Sequence, residues 1–301
     1  VDVLVKLTNL PKDLWVYIAI DISLTLFLLL VLRVIQSRMA SVDVKVELSE
    51  RDNFAYGIGM AGGLLALCIV LSGVVGRHLD AGYLQAGQGL LLFGLVGIIL
   101  VRFGRFVHDK LVLQRIDTPE QLSQRNVGVA LVDASSAIAS AIILRSMILW
   151  VEGSNANAII AIVSGFIVVL TIFVLLTRIY EWRFARNNQN DSFQGALKRG
   201  HLAIAIDHIG NLLGTAIIVT STVHILAYSP EAYVSNVTGW LIVSVILSLS
   251  LLVLVSISKH ALLLGVNINQ EIDQQQNIGI ACVGFVLNIG FALIAVGLFS
   301  Q

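Results

Sequence analysis

Charge is scarce in this sequence: 13% of its residues are charged, and Lys plus Arg balance Asp plus Glu at 19 each. Proline occurs three times and cysteine twice. Each shortage excludes something. A zero net charge spread thinly excludes a nucleic-acid surface, because neutralising phosphates takes a concentrated basic patch. Pro11, Pro119 and Pro230 all fall outside the long apolar stretches, so no proline breaks a helix within one. Cys68 and Cys282 lie inside apolar stretches, where a structural disulfide is not expected, and they leave the compartment open. No Ser/His, Cys/His or P-loop constellation occurs, and the connecting segments are too short to fold a catalytic domain, so an enzyme is not expected. His78, His108 and His224 sit in or near loops without metal-ligand spacing, and no metal or cofactor is expected. Gly57-Ile-Gly59-Met-Ala-Gly62 fits a dinucleotide fingerprint in letters only, since no strand precedes it; a packing stripe explains it better.

What the chain has in abundance is apolar sequence: 57% hydrophobic residues and a mean hydropathy of +0.88. Those residues gather in blocks of roughly 20 or more, the length at which an α-helix crosses about 30 Å of hydrocarbon. Eight blocks are present, at 14–34, 53–75, 86–107, 126–150, 157–180, 201–226, 237–259 and 277–299. The fold class is therefore an all-α polytopic membrane protein with the lipid bilayer as its solvent. The first block runs straight into Arg33 and Arg38, which marks it as an anchor and not a cleaved leader.

Basic residues fix the orientation. The odd-to-even connections hold Arg33, Arg38, Lys45 and Arg51, then Arg102, Arg105, Lys110, Arg115 and Arg125, then Arg178, Arg183, Arg186, Lys198 and Arg199. The last has only Lys259, and the opposite side has Lys6, Lys12, Arg77 and Arg145. These connections are expected to be cytoplasmic and both termini periplasmic.

The even blocks repeat at a period of about 75 residues. They open with Asn53-Phe-Ala-Tyr-Gly-Ile-Gly, Asn126-Val-Gly-Val-Ala-Leu-Val, His201-Leu-Ala-Ile-Ala-Ile-Asp and Asn277-Ile-Gly-Ile-Ala-Cys-Val. Small residues follow at fixed places: Ala55 and Gly57, Gly128 and Ala130, Ala203 and Ala205, Gly279 and Ala281, then Ala66, Ala139, Gly214 and Gly290. Small stripes allow the close backbone approach that drives helix association in lipid, so the even helices are expected inside and the odd, Leu-rich ones outside. Thr118-Pro119-Glu120-Gln121, an N-cap signal ahead of Asn126, predicts that each even helix starts about two turns before the membrane. The chain divides into 1–152 and 153–301, each a pair of two-helix hairpins.

The openings Gln124-Arg125-Asn126-Val127-Gly128-Val129-Ala130 and Gln276-Asn277-Ile278-Gly279-Ile280-Ala281, each following a basic exit and a short polar stretch, resemble the YjfL family, domain of unknown function 350. Unit three departs from that pattern with His201 in place of Asn. The resemblance implies tandem two-helix hairpins in the bacterial inner membrane, here four copies, and membrane-stress proteins as partners. It implies no activity.

Ionisable residues at membrane depth are the default functional candidates. Asp133 lies about 10 Å into its helix from the loop side, and Asp207 and His208 lie at about the same depth. Arg102 reaches that level, and Asn211, Ser135, Ser136 and Asn288 add hydrogen-bonding capacity. These residues make either an intramembrane path for ions or protons, or a structural ion pair of Arg102 with Asp133 or Asp207. Asn53, Asn126, His201 and Asn277 would form a cytoplasmic mouth if the even helices surround one axis, and Asp21 with Arg145 would form an outer ion pair. Two functions are open: a channel or transporter for ions or small solutes, or a non-conducting scaffold recruiting stress partners through segments 43–52 and 181–199. A homo-oligomer is compatible with either.

Overall fold

The computed structural model of the chain describes residues 13–40, 42–75, 82–153, 156–189 and 191–301. The expectations for Lys6, Lys12, Arg77 and His78 fall outside them. Among the described residues eight helices are long and apolar enough to cross a membrane, in agreement with the eight blocks. They are α1 (Leu14–Ala40), α2 (Phe54–Ser72), α3 (Tyr83–Val107), α4 (Val127–Trp150), α5 (Ala156–Asn187), α6 (Leu202–Val219), α7 (Tyr233–Leu262) and α8 (Ile278–Phe299).

The even helices do not enclose an axis. They stand in a row, α2 against α4, α4 against α6 and α6 against α8, and the odd helices back that row: α3 on α2 and α4, α5 on α4, α7 on α6 and α8, and α1 on α2 and α3. The row forms because its contact residues are small. A Cβ at Gly62 would collide with Ala134; one at Gly210 would lie 2.6 Å from the Phe285 backbone, and one at Gly214 would lie 2.9 Å from Asn288. Such contacts leave no room for a side chain, which is why glycine is needed where the backbones cross.

A row has ends, and this corrects the division into inner even and outer odd helices. The central α4 and α6 spans are 78% and 72% buried, whereas α8 at 22% is nearer to α1 at 11%. Position in the row decides burial; parity does not.

The predicted extension of the even helices is also corrected. Thr118–Ser123 is a separate short helix capped by Asp117, whose carboxylate accepts from the Glu120 N–H at 3.1 Å. It stops at Arg125, held at φ +63°, and α4 then starts afresh at Asn126. Asp52 at +48°, Gly200 at +80° and Gln276 at +55° repeat this left-handed break before the other even helices. A left-handed residue cannot continue a helix, so each even helix is restarted by its own cap. The extra turns belong to the odd helices: α1 runs to Ala40 and α5 to Asn187.

Candidate functional site

The residues shared by the repeats hold it together. Asn53, Asn126 and Asn277 each cap their helix, the side-chain oxygen accepting from the N–H three residues on, at 3.1, 3.1 and 3.2 Å. The amide nitrogen of each donates backward, to Glu47 at 2.8 Å, Gln121 at 2.8 Å and Glu271 at 2.9 Å. In the first two units it also donates forward, to the Leu122 carbonyl at 3.0 Å and the Leu197 carbonyl at 2.9 Å, both in the following unit. His201 occupies the capping place without a side-chain cap, and its Nδ1 is buried with no hydrogen-bond partner among the described residues. These four residues therefore mark the helix starts along the row and do not ring a pore mouth.

The residues that differ between the repeats make two charged clusters near the loop-rich face. In the first, α3 presents Arg105 to Asp133 of α4: Nε donates to Oδ1 at 2.9 Å, Nη2 donates to Oδ2, and Nη2 also reaches the Gly59 carbonyl at 3.3 Å. The pair lies at the base of a cavity of about 470 Å³ that Glu47, Tyr56, Arg102 and Asp109 also line. In the second, Lys259 of α7 donates to Asp207 Oδ1 of α6 at 2.5 Å, and the Tyr180 hydroxyl of α5 donates to Oδ2 at 3.4 Å. The cavity there is about 240 Å³, and Asp207, His208, Asn211, Asn288, Lys259 and Asp273 all contribute to it. At its mouth Asn188 donates to Asp273 at 2.8 Å. Burial pushes the Asp273 carboxyl up from the usual range, and the Asn188 bond offsets part of that.

Both clusters are packed from behind by glycine. A Cβ at Gly59 would lie 3.2 Å from Asp133 Oδ2, and one at Gly284 would lie 2.7 Å from Asp207 Oδ1. Any side chain there would press on the carboxylate, so the charged pair and the missing side chain belong together.

Two imidazoles lie between the clusters. His108 follows α3 in a π-helical turn, His108–Val112, and His208 neighbours Asp207; they are 5% and 2% exposed, with ring centroids 6.5 Å apart. None of the four ring nitrogens has a hydrogen-bond partner among the described residues. Phe193 and Tyr180 enclose His208, with ring centroids at 5.0 and 5.5 Å.

Asp207, His208, Asn211 and Asn288 thus come together, while Asp133 and Arg102 belong to the other cluster. The partner expected for the acids was Arg102; it lines the first cavity, and Arg105, one turn on, makes the bond. Ser135 and Ser136 bond back to their own helix, at Leu131 and Asp133. The outer pair is not formed: Arg145 donates to Ser72 at 2.9 Å, and α2 and α3 stand between α4 and the α1 residue Asp21. Arg105, Lys259, Tyr180 and His108 were missed because they read as loop or helix-end residues. The signal that could have found two of them is a glycine one helix away, Gly59 for Arg105 and Gly284 for Lys259.

Toward the opposite face the helices close over an apolar interior that includes Leu212, Ala216, Val219, Leu247 and Ala292. Trp150 seals it, with ring centroids 5.1 Å from Tyr228 and 5.4 Å from Trp240, and its indole N–H donates to the Leu226 carbonyl at 2.6 Å.

A family model described as Domain of Unknown Function (DUF350) matches this chain twice, at residues 7–148 and 154–299. No curated protein and no solved structure matches it.

Proposed function

The chain belongs to the DUF350 family, and from that premise we propose that it is a non-enzymatic multi-pass protein of the bacterial inner membrane that moves small cations or protons, its loop-rich face cytoplasmic and its termini periplasmic. The observation that carries this reading is the cavity of about 240 Å³ over Asp207 and Lys259. It runs from loop residues Asn267 and Asp273 down to Asn288 and Thr215 on the membrane-spanning helices, and its polar groups converge on one buried carboxylate. A charge held at that depth by a single ammonium can exchange partners: a cation entering the cavity competes with Lys259 for Asp207. The neighbouring imidazoles of His208 and His108, with ring centroids 6.5 Å apart, are the candidate proton carriers beside this site. The apolar interior and the Trp150 cluster close the opposite side, as an alternating-access carrier requires of its inward-facing state.

The scaffold reading rests on segments 43–52 and 181–199. In these segments Glu47, Phe193 and Leu197 are buried, while Lys45, Glu50, Arg51, Arg183 and Arg199 are exposed and leave charged surface on which that reading would depend.

The test is flux into proteoliposomes containing the purified full chain, with pH-sensitive and cation-sensitive dyes under imposed proton, Na⁺ and K⁺ gradients. Wild-type protein is expected to dissipate at least one gradient, and Asp133→Asn with Asp207→Asn to abolish that flux. No flux from wild type, or an unchanged flux in the double variant, would refute the proposal.

A further inference from the structure

The four units are joined by one packing rule, which is clearest when residues are counted from each opening residue, Asn53, Asn126, His201 or Asn277. The leading face of one even helix meets the trailing face of the next. Gly128, two places in, faces Ala205, four places into the next unit, with 3.5 Å between the Cβ positions. Nine places meets eight at Gly62 with Ala134 and again at Gly210 with Phe285, and thirteen meets eleven at Gly214 with Asn288. Wherever a neighbour exists, these faces are sealed. On trailing faces Ala130, Ala205 and Ala281 at place four, and Ala141, Ala216 and Ala292 at place fifteen, are wholly buried, as are Ala55, Ala203, Ala66 and Ala139 on leading faces.

At both ends of the row the small residues persist without a neighbouring even helix. The trailing face of α2 keeps Gly57 at place four, where the exposed Leu48 side chain comes within 3.4 Å of the Cβ position, and the exposed Cys68 at place fifteen. The leading face of α8 keeps the exposed Gly279 at place two, and Gly290 at place thirteen, which has no atom within 4 Å of where its Cβ would be. The latch is unfinished at the same end. Asn53 and Asn126 donate to the carbonyl four residues before the next opening residue, whereas Asn277 bonds only within its own unit. In the same register its acceptor would be the carbonyl of Ser49, an exposed residue at the other end of the row. Repeat arrays that stop normally end in altered, capping units. This one ends in units that retain the joining pattern on both open faces. An ordinary lipid-facing surface of this chain looks different, as Leu26, Phe27 and Leu30 on α1 demonstrate.

We propose that copies of this chain associate head to tail, the open face of α8 on one copy packing against the open face of α2 on the next in the register that joins consecutive units within the chain. The interface is heterologous, so it generates a ring or an open array. All units share one orientation, so each added copy sits the same way up in the bilayer. Val286 stands at place nine, where Gly62, Ser135 and Gly210 stand in the other units. The proposal is independent of the transport reading, because it rests on the even-helix faces and not on the charged cavities.

The experiment is oxidative cross-linking of the full chain in membranes of the expressing cells, with Cys68→Ala and Cys282→Ala as background and copper phenanthroline as catalyst. Gly57→Cys with Gly279→Cys places the pair equivalent to Gly128 and Ala205, whose 3.5 Å spacing is within disulfide range. Covalent dimers and higher species are expected from this pair and from neither single variant. Gly128→Cys with Ala205→Cys, expected to close an intramolecular bond, verifies folding and reagent access. Gly290→Leu has open space around it within one copy and is expected to lower the intermolecular product about tenfold while sparing the intramolecular one. If the internal bond forms and the Gly57→Cys, Gly279→Cys pair yields only monomer, the proposal fails. It fails equally if Gly279→Cys alone dimerises as well as the pair, which would mean α8 packs on α8.

Discussion

Replacing Lys259 by methionine would keep most of its volume and remove its charge, leaving the Asp207 carboxylate at membrane depth with only the 3.4 Å hydroxyl contact of Tyr180. Lys259 is 12% exposed and Asp207 3%, so solvent screens the pair little. Removing one partner of such a pair is expected to destabilise by about 3–5 kcal/mol, because the other is left uncompensated. Removing both, in Lys259→Met with Asp207→Asn, restores a neutral site and is expected to recover all but about 1–2 kcal/mol. Tryptophan fluorescence during thermal unfolding in detergent gives the readout, with Trp150 and Trp240 packed together in the interior. The single variant is expected to lose at least about 6 °C of melting midpoint and the double variant to regain most of it. A single variant within about 1 kcal/mol of wild type, or a double variant no better than the single, would refute the claim that this pair is mutually dependent.

Asn126→Ala loses a helix cap and the bonds joining units two and three, and is expected to destabilise by about 2–3 kcal/mol; Asn277→Ala, with no forward bond to lose, by about 1 kcal/mol less. Paired denaturation midpoints check the difference, and equal losses would contradict the latch. His201→Asn supplies the cap that unit three lacks and is expected to stabilise by about 1 kcal/mol; an unchanged or lower denaturation midpoint would contradict this. Asp273 has a carboxyl raised by burial. Its unfolded form therefore ionises first as pH rises from about 4, and stability is lost until the folded-state value is passed. Asp273→Asn is expected to raise the midpoint at pH 7 and leave it unchanged at pH 3; a pH profile parallel to wild type would show that the group does not contribute.

The number and class of the helices were legible because hydrocarbon thickness imposes a minimum length and backbone satisfaction imposes one secondary structure; their loop-side ends were not, since α1 runs on to Ala40 and α5 to Asn187. The repeat was legible for a similar reason: helix crossings need small residues, and Gly128, Ala205 and Gly214 announce them wherever they recur. What stayed hidden was the arrangement of the four units. The same small stripes serve a closed ring or an open row, since each demands only that a leading face meet a trailing face. Depth along a helix could be counted, so Asp133, Asp207 and His208 were placed at one level. Azimuth could not, and it decides partners.

The two acids illustrate how much azimuth matters. Asp133 stands seven places after Asn126 and Asp207 six places after His201. One residue is about 100° of helix rotation. That shift turns Asp133 of α4 toward α3 and Gly59 of α2, and Asp207 of α6 toward α7 and Gly284 of α8. The two central helices thus direct their carboxylates away from each other, each toward a cavity in its own half of the chain. Four units with strictly equivalent acids would have repeated one pair along the row. The offset instead makes two outward-facing clusters, and His108 and His208 occupy the space left between them. Positions held constant, Asn53, Asn126 and Asn277, join the units; positions that slip by one residue give the halves their separate charged sites. It follows that inserting a residue between His201 and Asp207 would disrupt the second cluster while leaving the latch at Asn126 intact. That is why the chemistry of this protein lies in the residues its repeats do not share.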